Sequence, residues 1–301
     1  MQVNKKLWSQ LGLTYKPAPV KIDSRHIYRR TTDGQLLTGT TTIGKVKDKS
    51  FLMFWTVKKM YEYLSSEWNI KKKYTEATKD ELLLKGKNIW RGERDESARI
   101  GDIIHIFIKC HAQGTDYKKT EEYKAGQELS EEMRKSIKDS IKDFLQWEKD
   151  WGVNYLLSEE VVYSDKHNTA GTLDLLAWFS GKKCPPYLLG KIVVIDVKTG
   201  GHSEDHALQT AAYKMQLEEQ MDIIAKERLI IRIPRLDEKF EVVRIATPYE
   251  FDLETFLHLR EVHRWNISVE NNFMKKDESG YKKFSPNIIY PCKPISTKKV
   301  K

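Results

Sequence analysis

The sequence predicts an α/β fold in which a mixed central β-sheet is flanked by helices and preceded by a helical region. Short, apolar, β-branched runs bounded by turn residues predict buried strands, as at residues 191–195. Longer amphipathic or charged stretches predict helices before the strands and among them. Helices come first, followed by three strands, a helix and two strands, and this order favours a mixed sheet with helical cover.

The N-terminal half is predicted to contain one hairpin followed by helices. Residues 32–34, Thr-Asp-Gly, lie between two strand-like segments and indicate a hairpin turn. Ser50 can cap a helix at residues 51–67, which is apolar and aromatic along one side. A heavily charged helix is expected at residues 130–151.

The remaining elements follow from the same patterns. Residues 76–151 are predicted to be mostly helical, with breaks near Gly92 and at residues 114–126. Strands are expected at residues 155–163, 171–178, 191–197, 227–233 and 239–246. A helix that contains Gln209 precedes the fourth of these strands, and a final amphipathic helix is expected at residues 253–267.

The composition suits a polyanionic partner without identifying one. The chain has 301 residues, with 52 Lys and Arg against 43 Asp and Glu, and its formal net charge is +9. Residues 268–301 hold eight lysines but only three acids, with aromatic residues among them. This tail is either a solvated terminus or an arm that binds a nucleic-acid strand through phosphates and stacked bases.

The sequence favours a soluble, intracellular protein without a membrane span. No apolar run approaches the ~18 residues of a transmembrane helix, and the first residues lack the apolar core of a signal peptide. Cys110, Cys184 and Cys292 lie far apart, which argues against a disulfide framework or a zinc site. Three cysteines also exclude an iron–sulfur cluster held by four thiolates.

Two acids near the ends of neighbouring predicted strands indicate a metal site. Asp196 and Lys198 follow a buried strand and, because strand side chains alternate, project from the same face. A hairpin would bring Asp174, which follows Gly171, close to Asp196. Two converging carboxylates repel each other unless a cation lies between them, and oxygen ligands suit Mg²⁺ or Mn²⁺.

The next predicted helix carries two polar side chains on one face. Gln209 and Tyr213 are separated by four residues, so they are neighbours on a helix that Ser203 or Asp205 can cap. An amide and a phenol at this place are suited to holding a phosphate or ordering an attacking water.

These motifs, taken in order, resemble those of the PD-(D/E)XK nuclease superfamily in its RecB-like branch. The resemblance rests on Gly171-x-x-Asp174, Asp196-x-Lys198 and Gln209-x-x-x-Tyr213, with Gly101-x-x-x-His105 upstream. The segment at 157–162, which contains the acids Glu159 and Glu160, and the segments at 37–43 and 51–55 are similar to the mitochondrial genome maintenance exonuclease group and its phage and bacterial relatives. The resemblance covers about residues 35–215. It implies a restriction-endonuclease-like core.

The resemblance also implies roles for the site residues. His105, Asp174, Asp196 and the Val197 carbonyl would hold Mg²⁺ or Mn²⁺. Lys198 would orient the attacking water or stabilise charge on the phosphate, while the Gln209 and Tyr213 side chains would fix the strand. Glu159 is a weaker candidate for an outer ligand or a second metal, and a sheet-edge glutamate is the simpler alternative.

The expected function is a metal-dependent exonuclease that acts on DNA, from free single-stranded ends, in replication, recombination or repair. An internally cutting endonuclease and a non-catalytic nucleic-acid-binding relative are the alternatives. The domains are expected at residues 1–95, with a possible strand-threading arch, at 96–267, the nuclease core, and at 268–301, the basic tail. In the arch, Trp55 and Trp90 would stack on bases, and lysines 58, 59 and 71–73 would follow the phosphates.

Overall fold

The computed structural model describes residues 5–47, 50–69, 71–233, 239–276 and 282–284, and it shows a mixed sheet flanked by helices, so the predicted fold class is confirmed. The helices are Lys5–Gln10 (α1), Thr40–Gly44 (α2), Ser50–Glu67 (α3), Glu76–Gln113 (α4), Glu121–Gly126 (α5), Glu131–Trp151 (α6), Asp205–Met221 (α7) and Tyr249–Phe273 (α8). The strands are Val20–Ile22 (β1), Tyr28–Arg30 (β2), Leu36–Gly39 (β3), Val153–Ser164 (β4), Thr169–Phe179 (β5), Ile192–Lys198 (β6), Glu227–Arg232 (β7), Glu241–Arg244 (β8), Met274–Lys276 (β9) and Lys282–Phe284 (β10).

The eight-stranded sheet is organised around β5. The whole of β4 pairs with one edge of β5 in antiparallel fashion. The other edge is shared, because β3 pairs with Thr169 and Ala170 in parallel and β6 pairs with residues 175–178 in antiparallel fashion. Residues 171–174 therefore lie between the part of β5 that pairs with β3 and the part that pairs with β6. In the described part of the chain, no strand pairs with them on this second edge of β5. Beyond β6, β7 is parallel and β8 antiparallel.

Hydrophobic residues fill both faces of the sheet. Along β6, Val193, Ile195 and Val197 pack with apolar residues of α4 and α6. Val194 points to the opposite face and packs with residues of α7, including Tyr213. The alternation expected for a strand buried on both faces is therefore present. Asp196 and Lys198 share the parity of Val194, which places them on the α7 face.

The predicted break at Gly92 is wrong, because α4 continues through it. A glycine costs only about 1 kcal/mol in a helix interior, and packing of both halves of α4 offsets that cost. The first half contacts α3, where Gly86 lies against Leu64. The second half enters the core through Ile104 and Ile108. The helix ends at Gly114, which is left-handed as a helix cap often is.

Both predicted domain boundaries fall inside helices. The boundary at residue 95 lies within α4, and the hairpin of β2 and β3, present as predicted, joins the same sheet as the core. The last helix ends at Phe273, six residues beyond the expected end. Beyond it, β9 pairs with β10. Most of the tail at 268–301 lies outside the described residues, so both hypotheses for it remain predictions.

The helices and the cysteines bear on two predictions, the lack of a membrane span and the lack of a disulfide framework. Within the described ranges, no helix is both long enough and apolar enough to cross a membrane. Cys110 and Cys184 are free, buried thiols, and Cys292 lies outside the described residues.

The contact between α4 and α6 predicts a pH-dependent stability. His111 Nε2 lies 2.6 Å from Glu148 Oε2, and this hydrogen bond raises the pKa of His111 while partial burial opposes the rise. Because the folded protein binds the proton more tightly, the stabilisation is present below about pH 6.5 and is lost as the pH rises through the raised pKa.

We expect His111→Gln to lower the free energy of unfolding at about pH 6 by about 1 kcal/mol more than it does at about pH 9. Urea unfolding at both pH values measures this difference. His258→Gln, which changes an exposed histidine of α8, is the control and should show no such difference. Equal losses for His111→Gln at the two pH values would contradict the assignment.

Candidate functional site

The site lies where β5 and β6 separate. Leu175 and Ile195 are the first paired residues of the two strands. One step further, the Val197 N–H donates to the Asp174 side chain, with 2.7 Å between N and Oδ2. A carboxylate therefore takes the place of a backbone acceptor at the end of the ladder. The sequence predicted that Asp174 approaches Asp196, and in the structure Asp174 contacts the backbone of the next residue, Val197.

Three elements bring a possible metal-binding group together beside this point. His105 of α4, Glu159 of β4 and Asp174 of β5 each offer a ligand atom, and these atoms lie within 4.8 Å of one another. His105 Nδ1 is 3.3 Å from Glu159 Oε1 and 3.8 Å from Asp174 Oδ1. The weaker candidate of the sequence, Glu159, is thus part of the group, whereas Asp196 is not one of its three members.

Glu159 reaches the group through an unusual backbone conformation. Its φ angle is +50°, although it lies inside β4. Its neighbours Ser158 and Glu160 pair with residues on either side of Asp174, so Glu159 stands opposite Asp174. A left-handed non-glycine residue costs about 1–3 kcal/mol, and such strain is concentrated at functional sites. No pattern in the sequence indicates it.

Asp196 is fully buried beside Lys198. Lys198 Nζ lies 2.8 Å from Oδ1 and 2.7 Å from Oδ2 of this carboxylate, and the contact with Oδ1 has the geometry of a hydrogen bond. Oδ2 is buried without a hydrogen-bond partner among the described residues. The prediction that the two side chains share one side of the strand is confirmed. This oxygen is therefore ion-paired with Lys198 without a hydrogen bond of good geometry.

The charges of the site depend on each other. Burial raises the pKa of Asp196 to about 6, against the influence of Lys198, and burial also raises the pKa of Asp174. Burial alone would lower the pKa of His105, but Asp174 and Glu159 raise it to about 9. For Lys198, the neighbouring carboxylates outweigh burial and raise its pKa, so its ammonium is charged at neutral pH.

Gln209 and Tyr213 hold Lys198 from the α7 side. Gln209 Oε1 accepts from Lys198 Nζ at 3.2 Å, and Gln209 Nε2 donates to the Tyr213 hydroxyl at 2.8 Å. The two residues share a helix face, as predicted. Tyr213 is only 2% exposed, so the predicted contact of Tyr213 with a phosphate gains no support. Its hydroxyl orients Gln209, and Gln209 in turn orients the ammonium.

The polar face of α7 continues beyond these two residues. Gln216 and Gln220 extend the i, i+4, i+7, i+11 series that begins with Gln209. Gln216 is fully buried and donates to the hydroxyls of Thr40 and Thr169, which ties α2 and β5 to α7. The helical spacing of these four residues is visible in the sequence, and it could have predicted the buried glutamines. The N-cap of α7 is Glu204 and not the predicted Ser203 or Asp205, and the Glu204 side chain makes no capping hydrogen bond.

Two glycines of the predicted motifs allow close packing around the site. A Cβ on Gly171 would lie 2.6 Å from the Tyr213 ring and 2.7 Å from the Thr40 hydroxyl. A Cβ on Gly101 would lie 3.2 Å from Thr199, which directly follows Lys198. Glycine at these positions therefore lets α7 and α4 approach the strands that carry the acids.

The residues present fit a hard divalent cation. Carboxylate oxygens with one imidazole suit Mg²⁺ or Mn²⁺, and His105, Glu159 and Asp174 supply them. Lys198 O accepts from Ile233 N on the β7 side. Because successive carbonyls of a strand point to opposite edges, the Val197 carbonyl is directed to the Asp174 side. The predicted ligand from Val197 is compatible with this orientation.

A cleft of ≈ 350 Å³ opens beside Lys198 and Gln209. Its walls are formed by α2, the start of α3, the start of α7 and α8, and include Lys45 and His206. Next to it, Lys47 forms ion pairs with Glu204 and Asp205 at 2.9 and 3.1 Å, which connects the end of α2 to α7. A ligand in the cleft would meet the Lys198 ammonium.

The residues predicted to stack on bases are not the exposed aromatic residues of the helical region. Trp55 and Trp90 are half-buried, and Arg91 and Arg94 lie over the Trp90 ring at 5.6 and 5.2 Å. Among the side chains that the structure describes, the exposed aromatic ones of α3 and the turn after it are Phe54, Tyr61 and Trp68. The strand-threading arch stays a prediction.

Comparisons with known proteins do not identify a family. No family model matches this chain, and no curated protein does. Among solved structures, the crystal structure of SSO0001 is similar at a TM-score of 0.26 and 14% sequence identity. The similarity covers 72% of this chain and 86% of that chain. At this level it carries no argument about function.

The packing around Gly171 predicts a specific sensitivity. Gly171→Ala should lower the free energy of unfolding by about 1–3 kcal/mol, because the added methyl displaces the Tyr213 ring or Thr40. Gly92→Ala is the control, since no atom lies within 4 Å of its Cβ position and alanine favours a helix. Thermal unfolding should show a lower Tm for the first variant and an unchanged or higher Tm for the second. A Gly171→Ala protein as stable as the wild type would show that this contact is unimportant.

Proposed function

We propose that this chain is a metal-dependent deoxyribonuclease that hydrolyses phosphodiester bonds from free single-stranded ends. The observation that carries the proposal is the meeting of His105, Glu159 and Asp174 beside the buried pair of Asp196 and Lys198. The motif order that resembles the RecB-like PD-(D/E)XK nucleases supports it independently. Replication, recombination or repair inside the cell is the setting that such a nuclease would serve.

Four side chains and one carbonyl are proposed to hold the metal. His105, Asp174 and Glu159 provide the gathered ligand atoms, and Asp196 would add an oxygen of the carboxylate that Lys198 also contacts. The Val197 carbonyl is directed to the edge of β6 that faces Asp174. When bound there, Mg²⁺ or Mn²⁺ would polarise the scissile phosphate and lower the pKa of a water molecule.

Lys198 is proposed to stabilise negative charge on the phosphate in the transition state. Its raised pKa keeps the ammonium protonated at neutral pH, so it acts as a cation rather than as a general base. The contacts from Asp196 and Gln209 fix its position before substrate binds. Fixed charges of this kind need little reorganisation during the reaction.

DNA is the proposed partner, and the cleft beside Lys198 is the proposed entry for its backbone. Lys45 and Lys198 provide positive charge in the cleft, and the whole chain has a formal net charge of +9. Such an excess attracts a polyanion over long distances. The proposal names no protein partner.

Two alternatives make different demands on the same site. An endonuclease would use the same metal-binding residues but would not need a free end. A non-catalytic binding protein would not need a charged lysine held beside a buried acid. Lys198 contacts Asp196, and Asp174 accepts from the Val197 N–H between them; this arrangement favours catalysis over binding alone.

Removal of the buried acid should abolish cleavage. We expect Asp196→Asn to lower the cleavage rate of end-labelled DNA at least about 10³-fold, because Lys198 loses its partner and the metal loses a ligand. Activity should require Mg²⁺ or Mn²⁺ and should stop in EDTA. Asp150→Asn, which breaks a surface contact with Lys183, is the control and should cleave normally. Cleavage by Asp196→Asn at the wild-type rate would refute the active-site assignment.

The need for a free end separates the exonuclease from the endonuclease. Linear single strands should be degraded, whereas covalently closed single-stranded circles of the same sequence should survive, because a circle offers no end. Gel electrophoresis of both substrates under identical conditions measures the difference. Rapid nicking of the circles would favour the endonuclease.

A further inference from the structure

A small pocket near the start of β7 is rich in positive charge. Its volume is ≈ 220 Å³, and its walls come from α7, β7, β8 and the start of α8. The walls include four cationic side chains: Lys214, Lys226, Arg228 and Arg244. One wall residue, Glu227, pairs with Val193 near the start of β6, whereas the proposed active site lies beside the last residues of β6. No residue of the pocket wall belongs to the proposed active site.

The two arginines are already neutralised by acids. Arg228 is buried and lies 2.7 Å from Asp252 Oδ2, and it also donates to two backbone carbonyls. Arg244 forms two hydrogen bonds with Glu227, at 2.9 and 3.0 Å. These contacts fix both guanidinium groups in the pocket wall. Neither of these two acids pairs with Lys214 or Lys226. Glu250 and Glu218 act on Lys214 electrostatically, from beyond ion-pair distance.

The two lysines carry the excess charge. Among the described residues, neither Lys214 nor Lys226 has a carboxylate within ion-pair distance. Lys214 is half-buried, and its Nζ lies 3.8 Å from the centroid of the Tyr249 ring, which Arg228 also approaches at 5.8 Å. Burial and the neighbouring Arg228 lower the pKa of Lys214. An ammonium in this position is unfavourable without an anion.

We propose that this pocket binds a phosphate group through Lys214 and Lys226. Phosphate oxygens accept charge-assisted hydrogen bonds from ammonium groups, and a bound anion would offset the charges of Lys214 and Lys226, which act on each other. The cation–π contact with Tyr249 holds Lys214 at the pocket before the anion arrives. The same chemistry would suit a phosphate within a DNA strand, a terminal phosphate or free phosphate. The inference does not depend on the proposed nuclease function.

The test measures phosphate binding without metal, so that the proposed active site does not contribute. Isothermal titration calorimetry of the full chain with inorganic phosphate in EDTA should show one weak site. Lys214→Met should weaken binding at least about tenfold, the effect of one lost charge-assisted contact. Lys226→Met changes an exposed side chain, where substitutions usually change stability little, and it should also weaken binding. Lys182→Met, in the turn between β5 and β6, should bind as the wild type does.

Two oligonucleotides identify the source of the phosphate. A single strand with a 5′-phosphate and the same strand without it are titrated against the wild type, Lys214→Met and Lys226→Met. Tighter binding of the phosphorylated strand that is lost in the variants would indicate a terminal phosphate, and equal, variant-sensitive binding would indicate an internal phosphodiester. If the two substitutions weaken the binding of inorganic phosphate but not of either oligonucleotide, the pocket is a site for the free ion. Equal affinity of wild type and both variants for all three probes would overturn the proposal.

Discussion

The hydrogen bond from the Val197 N–H to the Asp174 carboxylate is the contact on which the candidate site depends. At this point β6 leaves β5, and a backbone N–H so deep in the protein needs an acceptor. The Asp174 side chain supplies it with one oxygen, while its other oxygen lies near His105. The same residue therefore completes the sheet and begins the proposed metal site. One carboxylate thus accepts the hydrogen bond that ends the strand pairing and also lies next to a proposed metal ligand.

The packing of α7 follows from the same opening in the sheet. On the edge of β5 between β3 and β6, residues 171–174 have no neighbouring strand in the described ranges, and the Tyr213 ring fills the space above Gly171. Through Gln209, this ring orients the ammonium of Lys198. The buried acids, the lysine and the helix are thus held by one continuous set of contacts. Removing the glycine, the tyrosine or the acid would disturb the others.

The sequence predicted what depends on periodicity and missed what depends on tertiary contacts. The alternation of Asp196 and Lys198 and the mixed order of strands and helices were predictable, because both follow from local spacing. Two features were not predictable: the left-handed backbone of Glu159 and the continuity of α4 through Gly92. In both cases packing against distant residues overrides the local preference of the sequence. Local patterns also do not indicate that the N-terminal hairpin extends the core sheet, because that pairing joins β3 to the distant β5.

Direct measurement of metal binding tests the central claim, that these side chains form a divalent cation site. Isothermal titration calorimetry with Mn²⁺ should detect binding to the wild type and a loss of affinity of at least about tenfold in Glu159→Gln, in line with the loss of one charged ligand. The matched control is Glu160→Gln, one residue along β4, whose side chain accepts from the Tyr15 hydroxyl instead. Its affinity for Mn²⁺ should equal that of the wild type. Absence of Mn²⁺ binding to the wild type, or equal affinity in Glu159→Gln, would contradict the account.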